Sequence, residues 1–185
     1  MKYYRPIKPF KAISFDLDDT LYDNHPVIKK ANASILEFIN QTYPELEQLT
    51  EKEWLLYKDI EVAEFPEVAH DVSLWRIQTL TRIMTIYGIP KYKAIEYSKQ
   101  AFKQFLKLRS DFIVPQASLN LLDKLAESFP VIALTNGNVD EFQIQLDDKF
   151  EFILKAGDGL KSKPSADLFI EAATRLNIEV SDILH

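Results

Sequence analysis

The chain has 185 residues, 46% of them hydrophobic and 12% aromatic, which is enough to bury the core of one domain or of one domain with an insertion. Its net charge of −6 is spread without a block of like charge, which argues against nucleic acid and anionic membrane surfaces as partners. It contains no cysteine, which excludes a disulfide framework and a thiolate metal site.

The N-terminal segment and the hydropathy of the chain predict its compartment. The segment MKYYRPIKPFK is basic and aromatic and lacks the apolar stretch of a signal peptide. No apolar run reaches the length that a transmembrane helix needs. We therefore expect a cytoplasmic protein without a membrane partner.

The first predicted element is a short apolar strand that leads into a group of carboxylates. The segment Ala12–Phe15 has the composition of a buried strand, whereas Asp16, Asp18 and Asp19 do not belong in an apolar interior. Both features fit a strand whose C-terminal end opens into a cleft, where open parallel α/β sheets bind their ligands.

Asp16 and Asp18 are the candidates for chemistry in this cleft. They point to the same side of an extended strand end, because side chains alternate with a period of two. Two carboxylates that face one space favour a hard cation such as Mg²⁺, and a carboxylate can also be a nucleophile that forms an aspartyl-phosphate. Alone, the pattern also fits an acidic surface turn or an Asx-type cap.

The stretch that follows, about residues 24–111, is predicted to be helical throughout. Its second helix opens with Thr50 and Glu53, a capping-box pair. Its third ends at Gly88, which suits the left-handed conformation after a helix, and its fourth spans about Lys91–Arg109.

Beyond this stretch the pattern alternates between strands and helices. We predict strands at Val131–Thr135 and Phe150–Leu154, and helices at about Glu141–Leu146 and Ser165–Leu176. The final residues, SDILH, are expected to form a loop that enters another strand. Strands that alternate with helices at this spacing imply parallel strands joined by right-handed crossover connections.

The fold class that follows is α/β, a parallel sheet with an inserted all-helical segment. We expect the core to comprise residues 1–23 and 112–185, and the insertion to comprise residues 24–111 and to sit above the carboxylates.

A second polar group follows the strand Val131–Thr135. Thr135, Asn136, Gly137 and Asn138 supply a hydroxyl, side-chain amides and backbone N–H groups that can hold phosphate oxygens. An ordinary Asn-Gly-Asn turn accounts for the same residues.

A third polar group precedes the last helix. Lys163, followed by Pro164 at the helix start, can bring a cation to a phosphate and to a nucleophilic carboxylate, although a solvated surface lysine is the alternative. Three such groups in this order, each at a strand end or helix start, predict a phosphate site.

The three groups resemble motifs one to three of the haloacid dehalogenase superfamily. The matching segments are DLDDT at 16–20, LTNGN at 134–138 and KSKP at 161–164. Within that superfamily the chain resembles, from end to end, the YigB-type phosphatases of flavin mononucleotide (FMN) and of 5-amino-6-(5-phospho-D-ribitylamino)uracil. The resemblance implies a Rossmann-like parallel sheet with a helical cap.

The resemblance also implies residue roles. Asp16 would be the nucleophile, Asp18 the general acid and then base, and Lys163 the neutralising cation. Asp16, by its carboxylate, and Asp18, by its backbone carbonyl, would ligate the cofactor Mg²⁺, and the second aspartate argues against the halide-removing branch. The residues expected to bind the substrate phosphate are Asp16, Leu17, Asp18, Thr20, Thr135, Asn136, Gly137 and Lys163.

The family's fourth motif, which supplies a further Mg²⁺ ligand, would follow ILH, where the sequence stops at His185. The resemblance therefore implies a chain truncated before motif four, with a fragment of a longer protein favoured over a form with a damaged metal site. The strand Ala12–Phe15 is then expected to be nearly unpaired along one edge, which predicts self-association through that edge.

The predicted function is Mg²⁺-dependent hydrolysis of a small phosphorylated metabolite, FMN or a riboflavin-pathway ribityl phosphate. The alternatives are a non-catalytic fragment that binds phosphate or a partner, and a phosphotransferase that uses the same intermediate. Several further side chains are either contacts for a flavin ring or ordinary packing, namely Tyr22, Asn24, Trp54, Tyr57, His70, Trp75 and Arg76.

Overall fold

The computed structural model describes residues 8–46 and 48–185. The expectation about a signal peptide concerns a segment whose first seven residues lie outside this range. Within it, the chain folds as a parallel four-stranded sheet with six α-helices, so the predicted α/β class is confirmed.

The sheet places the two polar strand ends side by side. Its strand order is β3-β2-β1-β4, and all neighbours are parallel. The strands are β1 (Ala12–Phe15), β2 (Val131–Thr135), β3 (Ile153–Lys155) and β4 (Ile183–Leu184). Because β1 and β2 lie next to each other and run in the same direction, the residues that follow them meet at one edge.

Four helices follow β1 and two accompany the later strands. They are α1 (Asn24–Thr42), α2 (Glu51–Glu64), α3 (Val72–Ile86), α4 (Lys91–Arg109), α5 (Gln116–Ala126) and α6 (Asp167–Leu176). Helix α2 has the predicted capping box, in which Thr50 and Glu53 each accept a hydrogen bond from the other's backbone. Gly88, at φ +93°, ends the α3 segment as predicted.

The buried apolar side chains form separate clusters. One contains residues from Ala31 to Phe105 only, among them Leu80 and Ile83, and it fills the space between α1, α2, α3 and α4. The others cover the two faces of the sheet, and Leu122 and Leu168 are buried in them. Each helical layer thus has a core of its own.

The predicted helix at Glu141–Leu146 is wrong. Asp140 accepts hydrogen bonds from the backbone of Phe142 and Gln143, as at a helix start, but Gln145 adopts φ +59°, so the segment consists of turns. The predicted strand at 150–154 begins later, at Ile153.

The expectation that β1 is nearly unpaired along one edge is also wrong for its first half. Ala12 pairs with Ile183 and Ile13 with Leu184, and the side chain of Ser14 contacts the His185 ring at 2.8 Å. The short β4 therefore forms this edge of the sheet, and self-association through β1 stays a prediction.

Among the described helices, none combines the length and the apolar character that crossing a bilayer requires.

Candidate active site

Asp16 lies immediately after β1, at the carboxyl edge of the sheet. Its Oδ1 accepts a hydrogen bond from the Leu17 amide at 2.8 Å and lies 3.3 Å from Nζ of Lys163. The side chain is 37% exposed, so the carboxylate is held on one side and accessible on the other.

Lys163 is fixed by the residue that follows β2. The Lys163 amide donates to Oδ1 of Asn136 at 2.7 Å, and Nδ2 of Asn136 donates to the Lys163 carbonyl at 2.9 Å. The Lys163 ammonium also donates to the Leu134 carbonyl at 2.6 Å. This two-way clamp joins the second and third polar groups and directs the cation to Asp16.

The Asp18 carboxylate is bound from two directions. Nη2 of Arg109 donates to its two oxygens at 2.6 and 2.7 Å, and the Tyr22 hydroxyl donates to Oδ1 at 2.6 Å. Burial first, and then the negative charge of Asp18, raises the pKa of Tyr22 far above its usual value, so this phenol stays a donor. Arg109 is 2% exposed.

Gly137 provides the space in which the Asp18 carboxylate sits. A Cβ atom at Gly137 would lie 2.5 Å from Oδ2 of Asp18 and 3.3 Å from Oγ1 of Thr135. The Gly137 amide donates to this same Thr135 oxygen at 3.0 Å. The first and second polar groups are therefore in direct proximity at the strand ends.

A cavity of about 300 Å³ lies between the helical insertion and this edge of the sheet. Its lining includes Trp54, Lys58, Trp75 and Arg76 from the insertion, and Asp18 and Gly137 from the strand ends. The carboxylate of Asp18 thus faces a partly open space large enough for part of a small molecule.

The insertion also contacts the loops of the second and third polar groups. Nδ1 of His70 lies 2.9 Å from Oγ of Ser162 and 3.3 Å from the Ser162 amide nitrogen. Nδ2 of Asn138 donates to Oγ of Ser73 at 3.2 Å.

Comparison with known proteins identifies the family. Residues 10–185 match the model of a hydrolase family, the haloacid dehalogenase-like hydrolases. The chain belongs to this family.

A curated relative supports the same grouping. The chain is 37% identical over 185 residues to the 5-amino-6-(5-phospho-D-ribitylamino)uracil phosphatase YigB of Escherichia coli strain K12, covering 100% of this chain and 78% of that protein. The resemblance to YigB-type members of the haloacid dehalogenase-like hydrolases is thereby confirmed.

Solved structures agree on the architecture. The 2-haloacid dehalogenase of Pseudomonas syringae pv. tomato DC3000 superposes with a TM-score of 0.88 at 29% identity, covering 94% of this chain and 76% of that one. The putative hydrolase YfnB of Bacillus subtilis, at 18% identity and a TM-score of 0.59, covers 91% of this chain and 74% of its own, and shows the fold alone.

The structure gathers most, but not all, of the residues that the sequence singles out. The gathered residues are Asp16, Asp18, Thr135, Asn136, Gly137 and Lys163. Thr20 is exposed, and within the described residues its hydroxyl makes no hydrogen bond to this group, while the Leu17 amide is already used by Asp16. Phosphate contacts by Thr20 and Leu17 stay predictions.

Sequence reasoning did not select Arg109 or Lys58 as site residues. Arg109 is the last residue of α4, where a basic side chain is normally explained by the dipole of its own helix. Its contact with Asp18 spans 91 residues of sequence, and nothing in the local pattern announces it.

The site offers Mg²⁺ only a small number of protein oxygen ligands. No three Asp, Glu or His side chains in the described parts of the chain form a cluster that could enclose a metal ion. Mg²⁺ usually needs only one or two protein oxygens, with water and substrate phosphate as its other ligands. The accessible Asp16 carboxylate meets that need, whereas the Asp18 carboxylate is engaged by Arg109 and Tyr22.

Proposed function

We propose that this hydrolase is a Mg²⁺-dependent phosphomonoesterase that forms an aspartyl-phosphate on Asp16. The observation that carries the proposal is the position of the Asp16 carboxylate, accessible at the sheet edge and 3.3 Å from the Lys163 ammonium. A nucleophile beside a fixed cation is what phosphoryl transfer needs, because positioning and charge stabilisation supply most of its catalysis. The phosphatase name of the 37% identical relative supports the same reaction class.

In the first step, an Asp16 oxygen attacks phosphorus, an O–P bond forms, and the bond from phosphorus to the leaving alcohol breaks. Lys163 offsets the charge that develops on the phosphoryl oxygens. The Thr135 hydroxyl oxygen accepts the Gly137 amide, which leaves its hydrogen free to donate to a phosphoryl oxygen. The backbone N–H of Asn136 is assigned to another of these oxygens.

Asp18 is assigned the proton transfers. Arg109 and Tyr22 hold Asp18 as a carboxylate in this structure, so the first transfer requires Asp18 to take up a proton when substrate binds. The neutral acid then gives this proton to the departing alcohol oxygen, and the resulting carboxylate later takes one from the water that attacks the phosphorus of the aspartyl-phosphate. That second step releases inorganic phosphate and restores Asp16. Arg109 and Tyr22 hold the Asp18 carboxylate at the cavity wall, where a leaving group would lie.

Mg²⁺ would be held by the Asp16 carboxylate and the Asp18 backbone carbonyl, and it would supply positive charge to the phosphate. Residues 24–111 are proposed to be the cap that selects the leaving group, and residues 1–23 and 112–185 the catalytic core. The relative's name favours a ribitylaminouracil phosphate as substrate, and FMN is the related candidate.

Replacement of the nucleophile tests this proposal. We expect Asp16→Asn to lower Mg²⁺-dependent release of inorganic phosphate from FMN by at least about 10³-fold, because the amide cannot form the acyl-phosphate. Asp147→Asn, at an exposed position away from the sheet edge, serves as the matched control and should keep full activity. Undiminished turnover in Asp16→Asn, or in excess chelator, would contradict the proposal.

The second candidate function is removal of halide from a 2-haloacid. It is favoured by one observation, the 0.88 TM-score with a protein described as a 2-haloacid dehalogenase. Chloride release from 2-chloropropionate by the wild-type chain separates the two reactions, and we expect none. Binding of phosphate without turnover of any phosphomonoester would instead support a non-catalytic role.

A further inference from the structure

Cations outnumber carboxylates in the cavity above Asp18. Lys58, Arg76 and Arg109 line it, whereas Asp18 is the one carboxylate among its described lining residues. Asp18 is already paired with Arg109. The charges of Lys58 and Arg76 are therefore left without a counter-ion in the cavity wall.

Arg76 is held in place by neutral groups. Its Nη2 donates to Oδ1 of Asn32 at 3.1 Å, and its guanidinium carbon lies 3.6 Å from the ring centre of Phe105 and 5.2 Å from that of Trp54. No carboxylate of the described residues lies within 4.0 Å of it. Burial, and then the charge of Arg109, lowers the pKa of Arg76 to about 10, so it remains a cation at neutral pH.

Lys58 has a similar environment on the neighbouring helix. Its Nζ lies 4.0 Å from the ring centre of Trp75, and the Trp75 Nε1–H donates to the Lys58 carbonyl at 2.9 Å. Burial first, and then the charge of Arg76, lowers the pKa of Lys58. Within the described chain, it too forms no ion pair at 4.0 Å or less.

Two such cations lower the stability of the protein when no ligand is bound. Both side chains are partly buried, and this partial removal from water is opposed by desolvation and by mutual repulsion, which contact with aromatic faces offsets only in part. The arrangement becomes favourable when a ligand brings negative charge or carbonyl oxygens to the cations. The partly exposed indole ring of Trp75 offers apolar surface beside them for a flat ring.

We propose that Lys58 and Arg76 form a subsite for the leaving group, selecting phosphomonoesters whose alcohol carries a planar ring with carbonyl or anionic oxygens. The subsite rests on the proposed function for the position of the phosphate beside Asp16. Recognition of the ring itself requires no phosphate chemistry, and this allows an independent test.

The first measurement is equilibrium binding of riboflavin, a ring of this class without a phosphate, followed by flavin fluorescence. We expect Arg76→Met and Lys58→Met each to weaken binding about tenfold or more, a loss typical of one charge-assisted contact. Lys52→Met, an exposed lysine on the same helix as Lys58, should bind as wild type does. Thermal melts of all variants identify any loss caused by misfolding.

The second measurement compares two substrates. Arg76→Met should lower kcat/KM for FMN about tenfold or more, and kcat/KM for phenyl phosphate, whose ring lacks such oxygens, less than about threefold. Arg76→Lys should recover part of the FMN activity. Equal losses with both substrates, or riboflavin binding that is absent in wild type or unchanged in both variants, would overturn the subsite.

The two proposals fail in different ways. If neither phosphate ester is hydrolysed but riboflavin binding depends on Arg76, the subsite stands and the phosphatase function fails. If both esters are hydrolysed and Arg76→Met affects them equally, the function stands and the subsite fails.

Discussion

The first two motifs come close together at Gly137. Asp18 occupies the volume that any side chain at position 137 would fill, since a Cβ there would lie 2.5 Å from its Oδ2. Gly137 is thus needed for the space it leaves and not for an unusual backbone angle. The Asp18 carboxylate is packed between this glycine and the Arg109 guanidinium.

Gly137→Ala is expected to lower kcat by about 10²-fold, because the added methyl group displaces the proposed acid–base residue. Steady-state phosphate release and thermal melting measure the two consequences separately. Gly159→Ala is the matched control: its φ of +92° predicts a stability loss of about 1 kcal/mol, but its Cβ would meet nothing within 4 Å. Equal kcat in the two variants would argue against this role for Gly137.

Arg109 is expected to act through Asp18 as a positioning residue. Arg109→Met removes both hydrogen bonds to the carboxylate and should lower kcat by about 10²-fold with a smaller change in KM. Arg109→Lys keeps the charge without the guanidinium geometry and should recover part of the loss. A rise in KM at unchanged kcat would instead indicate that Arg109 binds substrate.

At this scale the sequence predicted the residues that directly follow strands or precede a helix. Asp16, Thr135, Asn136 and Lys163 could be found because parallel strands bring their carboxyl ends together. Arg109 could not be found in this way. Its contact with Asp18 depends on the angle at which α4 reaches the sheet, and no local sequence pattern encodes that angle.

Among the α-helices, α2 begins with a capping box. Thr50 accepts the Glu53 amide at 3.2 Å, and Glu53 accepts both the amide and the hydroxyl of Thr50. These hydrogen bonds, those from Thr50 first, lower the pKa of Glu53, and a further bond from the Tyr87 hydroxyl acts in the same direction. The cap also helps to hold Trp54 and Lys58 on one rigid helix.

Thr50→Ala should lower the free energy of unfolding by about 1 kcal/mol at pH 7, as measured by urea denaturation. Since the folded-state pKa of Glu53 is lowered, its contribution is present above the unfolded value and is lost as the pH falls through the folded value. The difference between wild type and variant should therefore shrink as the pH falls below the ordinary pKa of a glutamate. Thr85→Ala, exposed on α3, should change stability by less than about 0.5 kcal/mol over the same pH range.

The elements that sequence reasoning missed are the ones governed by short-range turn chemistry or by distant pairing. The segment 141–146 has a helical composition and a capping side chain in Asp140, but the left-handed Gln145 ends it after one turn. Strand β4, Ile183–Leu184, confirms that SDILH enters a strand, but its pairing with Ala12 and Ile13 is a distant contact that the local pattern does not show. The four long helices were predictable because each has an apolar stripe, and α1, α2 and α3 also begin at a residue whose side chain caps the helix.

In the whole molecule, the apolar clusters follow the proposed division into cap and core. The cluster that contains Ile83 draws only on residues of the insertion, and the one that contains Leu134 only on residues of the sheet and its helices. The contacts between the two parts include polar pairs such as His70 with Ser162. Such an interface allows each part to open separately.

Ile83→Ala should therefore destabilise the cap alone. Truncation of a fully buried isoleucine costs about 2–5 kcal/mol, and native-state hydrogen exchange should show faster exchange in α1 to α4 with little change in β2. Leu134→Ala, equally buried in the core, should give the opposite pattern. Uniform acceleration across all elements in both variants would show that residues 24–111 are not an independent unit.

At this scale the class of the fold and the order of its parts followed from the sequence, since alternating strands and helices admit few arrangements. The cavity could not be predicted from the sequence, because its walls combine residues from α2, α3 and the strand ends. Trp54, Trp75 and Arg76 could be named as candidates, but only their packing around a common space distinguishes a binding wall from a cap interior.

The chain has two tryptophans, and both Trp54 and Trp75 belong to the cavity wall. Ultraviolet emission excited at the red edge of indole absorption therefore originates wholly beside the proposed ring subsite. Entry of a flavin into that space would quench this tryptophan fluorescence by resonance energy transfer, so no attached dye is needed. The enzyme thus carries a built-in optical reporter, on which the filling and emptying of the cavity could be timed in a stopped-flow instrument.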